Sequence, residues 1–127
     1  MLIATLANQV NNIMMTYEYD QDKSIIHLRA KGVLKAMDPI NYFKQIDEDP
    51  TFRPKAEERI YFTDLDDIDF KFTDVLAIRN AFEKYGHAEK ISRGIFIVDC
   101  DLSLGMATMI INLFDEVFDK FTIERIS

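Results

Sequence analysis

The chain of 127 residues contains no tryptophan, one cysteine, two histidines, three prolines and four glycines. Each scarcity removes a class of explanation. A single thiol, Cys100, excludes an internal disulfide framework and a cysteine-based zinc site; its place at the end of an apolar run predicts a buried, inert thiol. Four glycines leave no Gly-rich phosphate loop. The two histidines, His27 and His87, form no His-x-x-x-His pair, and both read as solvated surface groups. No apolar run reaches the length of a membrane span. The cations are also too few: 15 Lys and Arg against 22 Asp and Glu give a net charge of −7. The cations are dispersed, so phosphate neutralisation on nucleic acid and docking on anionic lipid are both disfavoured. The first fifteen residues carry no Lys or Arg and read poorly as a secretory signal. The expected setting is the cytoplasm.

What is present is an ordinary globular balance, 48% hydrophobic and 29% charged, in a length that suits one domain. Residues 1–14 read as an N-terminal extension, with Leu2, Ile3, Leu6, Val10 and Ile13 at roughly helical spacing. Residues 15–127 read as a single α/β domain. Alternation from Met15 to Tyr19, a turn at "DQDK" and alternation from Ile26 to Ala30 predict a hairpin closed by Gly32. "MDPINYFKQIDEDP" has the grammar of a helix: Asp38 to cap, Pro39 at the first position, Ile40, Phe43 and Ile46 as a stripe, and Pro50 as the stop. "TFRPKAEE" reads as a surface connection and "RIYFTDL" as the third strand. A second helix is expected from near Thr73 to Gly86, an interior strand at "GIFIVDC", a third helix at "SLGMATMIINLFDEVFDKF" and a last strand at "FTIERI". The order β-β-α-β-α-β-α-β predicts a mixed, mostly parallel sheet with an antiparallel first hairpin.

The segments "LRAKG", "DPINYFKQIDEDP", "RIYFTDLDDIDF" and "GIFIVDCDLSLGMATMI" resemble the STAS-like, SpoIIAA-like fold of anti-sigma-factor antagonists, in an uncharacterised bacterial branch. The resemblance runs from Met15 onward. It implies a regulatory, protein-binding role without cofactor, and a further helix after the last strand that this sequence does not contain. It also implies a phosphoacceptor where such antagonists carry strand, "DSSG" and helix. Here that place is "FKFTDV", so Thr73 becomes the phosphorylation candidate. Asp74, in the place of the glycine, sets an anion beside the acceptor hydroxyl. The residues by themselves make Thr73 a helix cap.

The run "FTDLDDIDFKFTDV" holds five aspartates. A calcium loop beginning at Asp64 fails at Ile68, Asp69 and Val75, where the motif needs an acid, a glycine and a glutamate. A magnesium site needs only one or two carboxylates, so Asp64 and Asp66 stay open as ligand-binding candidates. The structural alternative has the aspartates end the strand and turn the chain towards the helix. Ser103 and Gly105, at the carboxyl end of a buried strand, are the companion candidates, Ser103 to bind an anion or to cap. Enzyme chemistry would require Asp64, Asp66 or His87 to converge on a metal; no catalytic residue, metal or cofactor is expected. The third helix has an apolar arc of about 200°, against about 100° for an ordinary surface helix. Its widening residues, Ile111, Phe114 and Phe118, are the expected interaction surface, covered within the chain or by a homodimer contact. The function expected is a non-enzymatic regulatory or protein-interaction module, or alternatively a domain binding an anion, nucleotide or lipid at the strand-to-helix edge.

Overall fold

A computed structural model describes residues 14–115 and 119–126. Residues 1–13 of the expected N-terminal extension, and the positions of Val117 and Phe118, lie outside the described residues. The elements are β1 (Met15–Asp20), β2 (Ile25–Lys35), α1 (Met37–Glu48), β3 (Ala56–Asp69), α2 (Phe72–Lys84), α3 (His87–Lys90), β4 (Ile91–Val98), α4 (Asp101–Leu113) and β5 (Phe121–Arg125). They form one five-stranded sheet in the order β1-β2-β3-β4-β5. β1 runs antiparallel to β2, and every later pair is parallel. The expected element order is the observed one, with the short α3 added.

Period-two alternation sorts the strands into two faces. Ile26, Leu28 and Ala30 of β2, Ala56, Ile60 and Phe62 of β3, and Phe96 and Val98 of β4 are buried on one face. Against them pack Tyr42, Phe43 and Ile46 of α1, Ile78 and Phe82 of α2, and Met106, Ala107, Ile110 and Phe114 of α4. All four helices thus cover the same face. The opposite face carries polar pairs: Glu57 accepts from Arg59 and from Arg93, each at 2.6 Å, and His27 lies 2.9 Å from the hydroxyl of Tyr61. Arg29 lies over the Tyr61 ring, 4.3 Å from its centroid.

Several boundaries differ from expectation. Gly32 does not close β2, which runs on to Lys35; the left-handed backbone at Gly32 (φ 68°) accompanies a slip of register instead. β3 starts three residues early and continues through Asp64, Asp66, Asp67 and Asp69, because β2 stays beside it with Lys31 opposite Asp64 and Lys35 opposite Asp69. The aspartates therefore do not end the strand. Pairing of β3 with β4 ends at Tyr61, so the last part of β3 is paired with β2 alone among the described strands. Gly86 does stop α2, in a left-handed conformation (φ 60°), as its lack of Cβ permits.

Candidate functional site

Two features stand out as places where side chains do more than fill space: a polar cluster inside the core, and an apolar groove outside it. The cluster forms around Glu58. The alternation that puts Ile60 and Phe62 inward also puts Glu58 inward, two residues earlier on β3, at 2% exposure. Tyr42 of α1 donates its hydroxyl to Glu58 Oε2, and His87 donates from Nε2 to the same oxygen at 2.7 Å. His87 is fully buried, walled by the rings of Phe43 at 4.8 Å and of Tyr42 and Phe82 at 5.4 Å. Burial, and after it the Glu58 carboxylate, holds the Tyr42 phenol well above its usual range. The other ring nitrogen, Nδ1, is buried and has no hydrogen-bond partner among the described residues.

This corrects the sequence reading twice. His87 is not a surface histidine: the turn at Gly86 directs it inward from α3. Glu58 does not belong to a surface connection. The signal for Glu58 was present, since a carboxylate two residues before a core isoleucine on a strand must face the core. Next to the cluster lies an apolar cavity of about 50 Å³, lined by Tyr42, Phe43, Glu58, Ile60, Phe62, Phe96, Ile110 and Phe114 among others. That is space for a few water-sized molecules. The three polar groups are hydrogen-bonded to one another, and all three are buried. They tie α1 and α3 to β3, and the ion pair of Lys90 with Asp47, at 2.6 Å, joins α3 to α1 from outside.

The candidates at the strand-to-helix edge do not assemble into a site. Asp64 and Asp66 are exposed on β3. Ser103 is buried, and its Oγ accepts the backbone N–H of Asp99 at 3.1 Å and of Cys100 at 3.2 Å while lying within 3.2 Å of Asp99 Oδ1. It satisfies the start of α4 from the third helical position, which is the capping alternative. Cys100 begins that helix and is exposed, contrary to the expected buried thiol. Thr73 is not the cap of α2 either. Lys71 holds the cap position, Asp74 accepts the Lys71 N–H at 2.8 Å, and Thr73 is exposed in the first turn. Among the described residues no group of three or more His, Cys, Asp and Glu is arranged to hold a metal ion. Among the described strands the order is sequential and does not reverse, so they form no crevice of the kind that serves ligands in doubly wound sheets.

The groove lies between α2 and α4. Arg79 of α2 donates to the carbonyl of Leu113 at the end of α4 at 3.4 Å, which links the two helices. At about 100° per residue, Phe72 and Leu76 share the flank of α2 that carries Arg79, while Leu102, Met109 and Leu113 share the flank of α4 that faces it. All five are exposed, Phe72 at 80% and Leu102 at 58%. Outward of them stand Thr73, Ala77 and Asn80 on α2 and Gly105, Thr108 and Asn112 on α4, all exposed and none ionisable. Residues 102–114 contain no charged group in a chain that is 29% charged. On this helix the exposed apolar residues are not the ones expected from the sequence. Phe114 is 2% exposed and belongs to the core, Ile111 is half-buried against it, and Phe118 lies outside the described residues. The apolar arc is wide because one side of it serves the core and the other the groove.

No family model matches the chain, and no curated protein matches it. Among solved structures, it resembles the crystal structure of an uncharacterised protein of the DUF3478 family from Shewanella loihica, described as having a SpoIIAA-like fold. The identity is 20%, the match covers 87% of this chain and 83% of that one, and the TM-score is 0.54. Among the described residues no helix is long and apolar enough to cross a membrane. The sheet order, the one-sided helix layer and this likeness together identify the architecture: the chain has a SpoIIAA-like fold.

Proposed function

We propose that this chain is a non-enzymatic regulatory or protein-interaction module of the bacterial cytoplasm that acts by docking the groove between α2 and α4 on a protein surface. The observation that carries this reading is the group of exposed apolar side chains on α2 and on α4, which carries no charged residue after Asp101. Exposed apolar side chains scattered singly are ordinary, but five of them on two helices joined by the Arg79–Leu113 hydrogen bond are an exposure of the kind that marks protein contacts. A role without chemistry is supported by the state of the acid–base groups. Glu58, His87 and Tyr42 are shut inside the core and bonded to one another, and the exposed aspartates have no metal-holding arrangement among the described residues.

The test is a binding experiment on the full chain. Wild type, Leu76→Glu and Met109→Glu are immobilised, and the proteins retained from a bacterial lysate are compared at equal circular dichroism. Retention of a protein, this chain included, by wild type and its loss from both variants is the expected result. Equal retention by all three, or none by wild type, overturns the reading.

A further inference from the structure

We infer that the chain covers part of its own sheet: residues 10–13 extend β1 backwards along the free margin of β2 and fill a groove beside Gly32, Val33 and Met37. This contact is separate from the groove between α2 and α4 and does not depend on the docking function proposed for it.

The sheet shows where the margin is free. β1 begins at Met15, opposite Ala30. β2 runs five residues further, to Lys35, with β3 beside it on one side and no described strand on the other. The ladder nevertheless goes one step past β1. Lys31 donates its N–H to the carbonyl of Met14 at 2.9 Å. The Met14 side chain lies against the next residue of β2, its sulfur 3.0 Å from the place of a Cβ on Gly32. The chain is therefore already running along the overhang of β2 where the described residues begin.

Beside it lies a groove of about 530 Å³, lined by Met14, Gly32, Val33, Lys35, Met37 and Asp38. Val33 is 41% exposed and Met37 57%. An apolar wall next to an unpaired strand margin is a place for one more strand.

Three observations name the occupant. Met14 is itself a wall of the groove. The residues before it enter at that point, and a strand from another molecule would have to share the same place. Second, the register fits. Continued backwards, it sets Ile13 opposite Gly32 and Val10 opposite Lys35, one on each side of the level of Val33. At about 3.4 Å per residue, four residues cover this span. The Lys35 N–H is held by Asp38 at 2.7 Å, which ends the free margin there. Third, residues 1–13 contain no charged side chain, so they lay no ionised group against Met14, Val33 and Met37. A tethered segment also acts at an effective concentration in the millimolar range, above that of an ordinary free partner.

The test places a photo-crosslinking residue at position 37 of the purified full chain, at about 10 µM, far below that effective concentration. A crosslink within one chain to residues 1–13 is expected. Its yield should fall at least about fivefold with Asn12→Pro, which removes a ladder donor, and with Val10→Asp, which sets a charge in the groove. Hydrogen exchange over residues 31–35 is an independent readout. It should be at least about tenfold faster in both variants than in wild type at equal circular dichroism. A crosslink that joins two copies, or one that never reaches residues 1–13, overturns the inference. So does a yield or an exchange rate indifferent to both substitutions.

Discussion

The imidazole of His87 and the carboxylate of Glu58 meet at 2.7 Å with both side chains shut off from solvent, and the hydroxyl of Tyr42 shares the same oxygen. One acceptor atom thus serves two donors from two helices. Glu58→Leu leaves both donors buried without a partner and is expected to cost about 3–5 kcal/mol. Glu58→Gln keeps an acceptor at the site and costs about 1–3 kcal/mol. Urea denaturation of the two variants checks the ordering. A cost for Glu58→Leu below that of Glu58→Gln contradicts the role given to the oxygen.

Tyr17 on β1 donates to Asp49 at 2.7 Å just beyond α1, and the pair gives the fold a pH dependence at both ends of the scale. Burial, then the hydrogen bond and charge of Asp49, pushes Tyr17 from its ordinary 10.0 up to about 12. A raised pKa stabilises the fold fully below the unfolded value and is lost as pH climbs towards the folded one. Stability is therefore expected to fall between about pH 10 and 12, and Tyr17→Phe removes part of that fall. The Thr51 hydrogen bond, followed by that of Tyr17, holds Asp49 below its ordinary 3.8. That contribution is complete above the ordinary value and disappears as pH drops towards the folded one. Denaturant midpoints measured across pH for wild type, Tyr17→Phe and Asp49→Asn read both limbs.

Gly94 on β4 is expected to tolerate nothing larger. A Cβ there would lie 2.0 Å from the ring of Phe121 on β5, which also packs on Phe96 at 5.6 Å. Gly94→Ala forces that ring off the sheet and costs about 1–3 kcal/mol. Adding Phe121→Leu to Gly94→Ala relieves the clash, so the two changes together destabilise less than the sum of their separate effects. Thermal denaturation of the single and double variants measures the coupling.

Within α4, two neighbouring positions are expected to respond in opposite directions. Gly105→Ala meets open space and raises the stability of the dilute protomer by about 1 kcal/mol through helix propensity. Ser103→Ala removes the acceptor for two backbone N–H groups in a buried place and lowers it by about 1–3 kcal/mol. Chemical denaturation at low protein concentration separates these effects from association.

Where a local rule decides the structure, the sequence is readable. The α1 segment forms a helix that ends before its second proline as expected, but it starts earlier: Ala36 holds the cap, Asp38 makes no cap and Pro39 sits at the third helical position, since the first turn tolerates proline at any place without an intrahelical N–H bond. Alternation and element order suffice for the sheet. The misreadings come from places where a distant element decides. The length of β3 depends on how far β2 keeps it company, which no property of the aspartates reveals. His87 lacks any sequence motif, and only the left-handed turn before it directs it at Glu58. The groove was half visible: the breadth of the apolar arc of α4 was legible, but its division between core and exterior depends on where α2 lies. Phe114 and Leu113 are adjacent in sequence and end on opposite sides of that division.

The overhang of β3 beyond Tyr61 has a consequence for how the molecule behaves in a crowd of its own kind. There one side of the strand faces β2, and among the described strands none takes up the hydrogen-bonding groups on the other side. Such a margin is a template on which a stray segment can zip itself, the first step towards fibrillar deposits. Asp64, Asp66, Asp67 and Asp69 stud that margin. A newcomer must push its backbone in among four carboxylates, and a copy of the same margin would bring four more. The acidic run that looks at first like a metal loop thereby works as a fence.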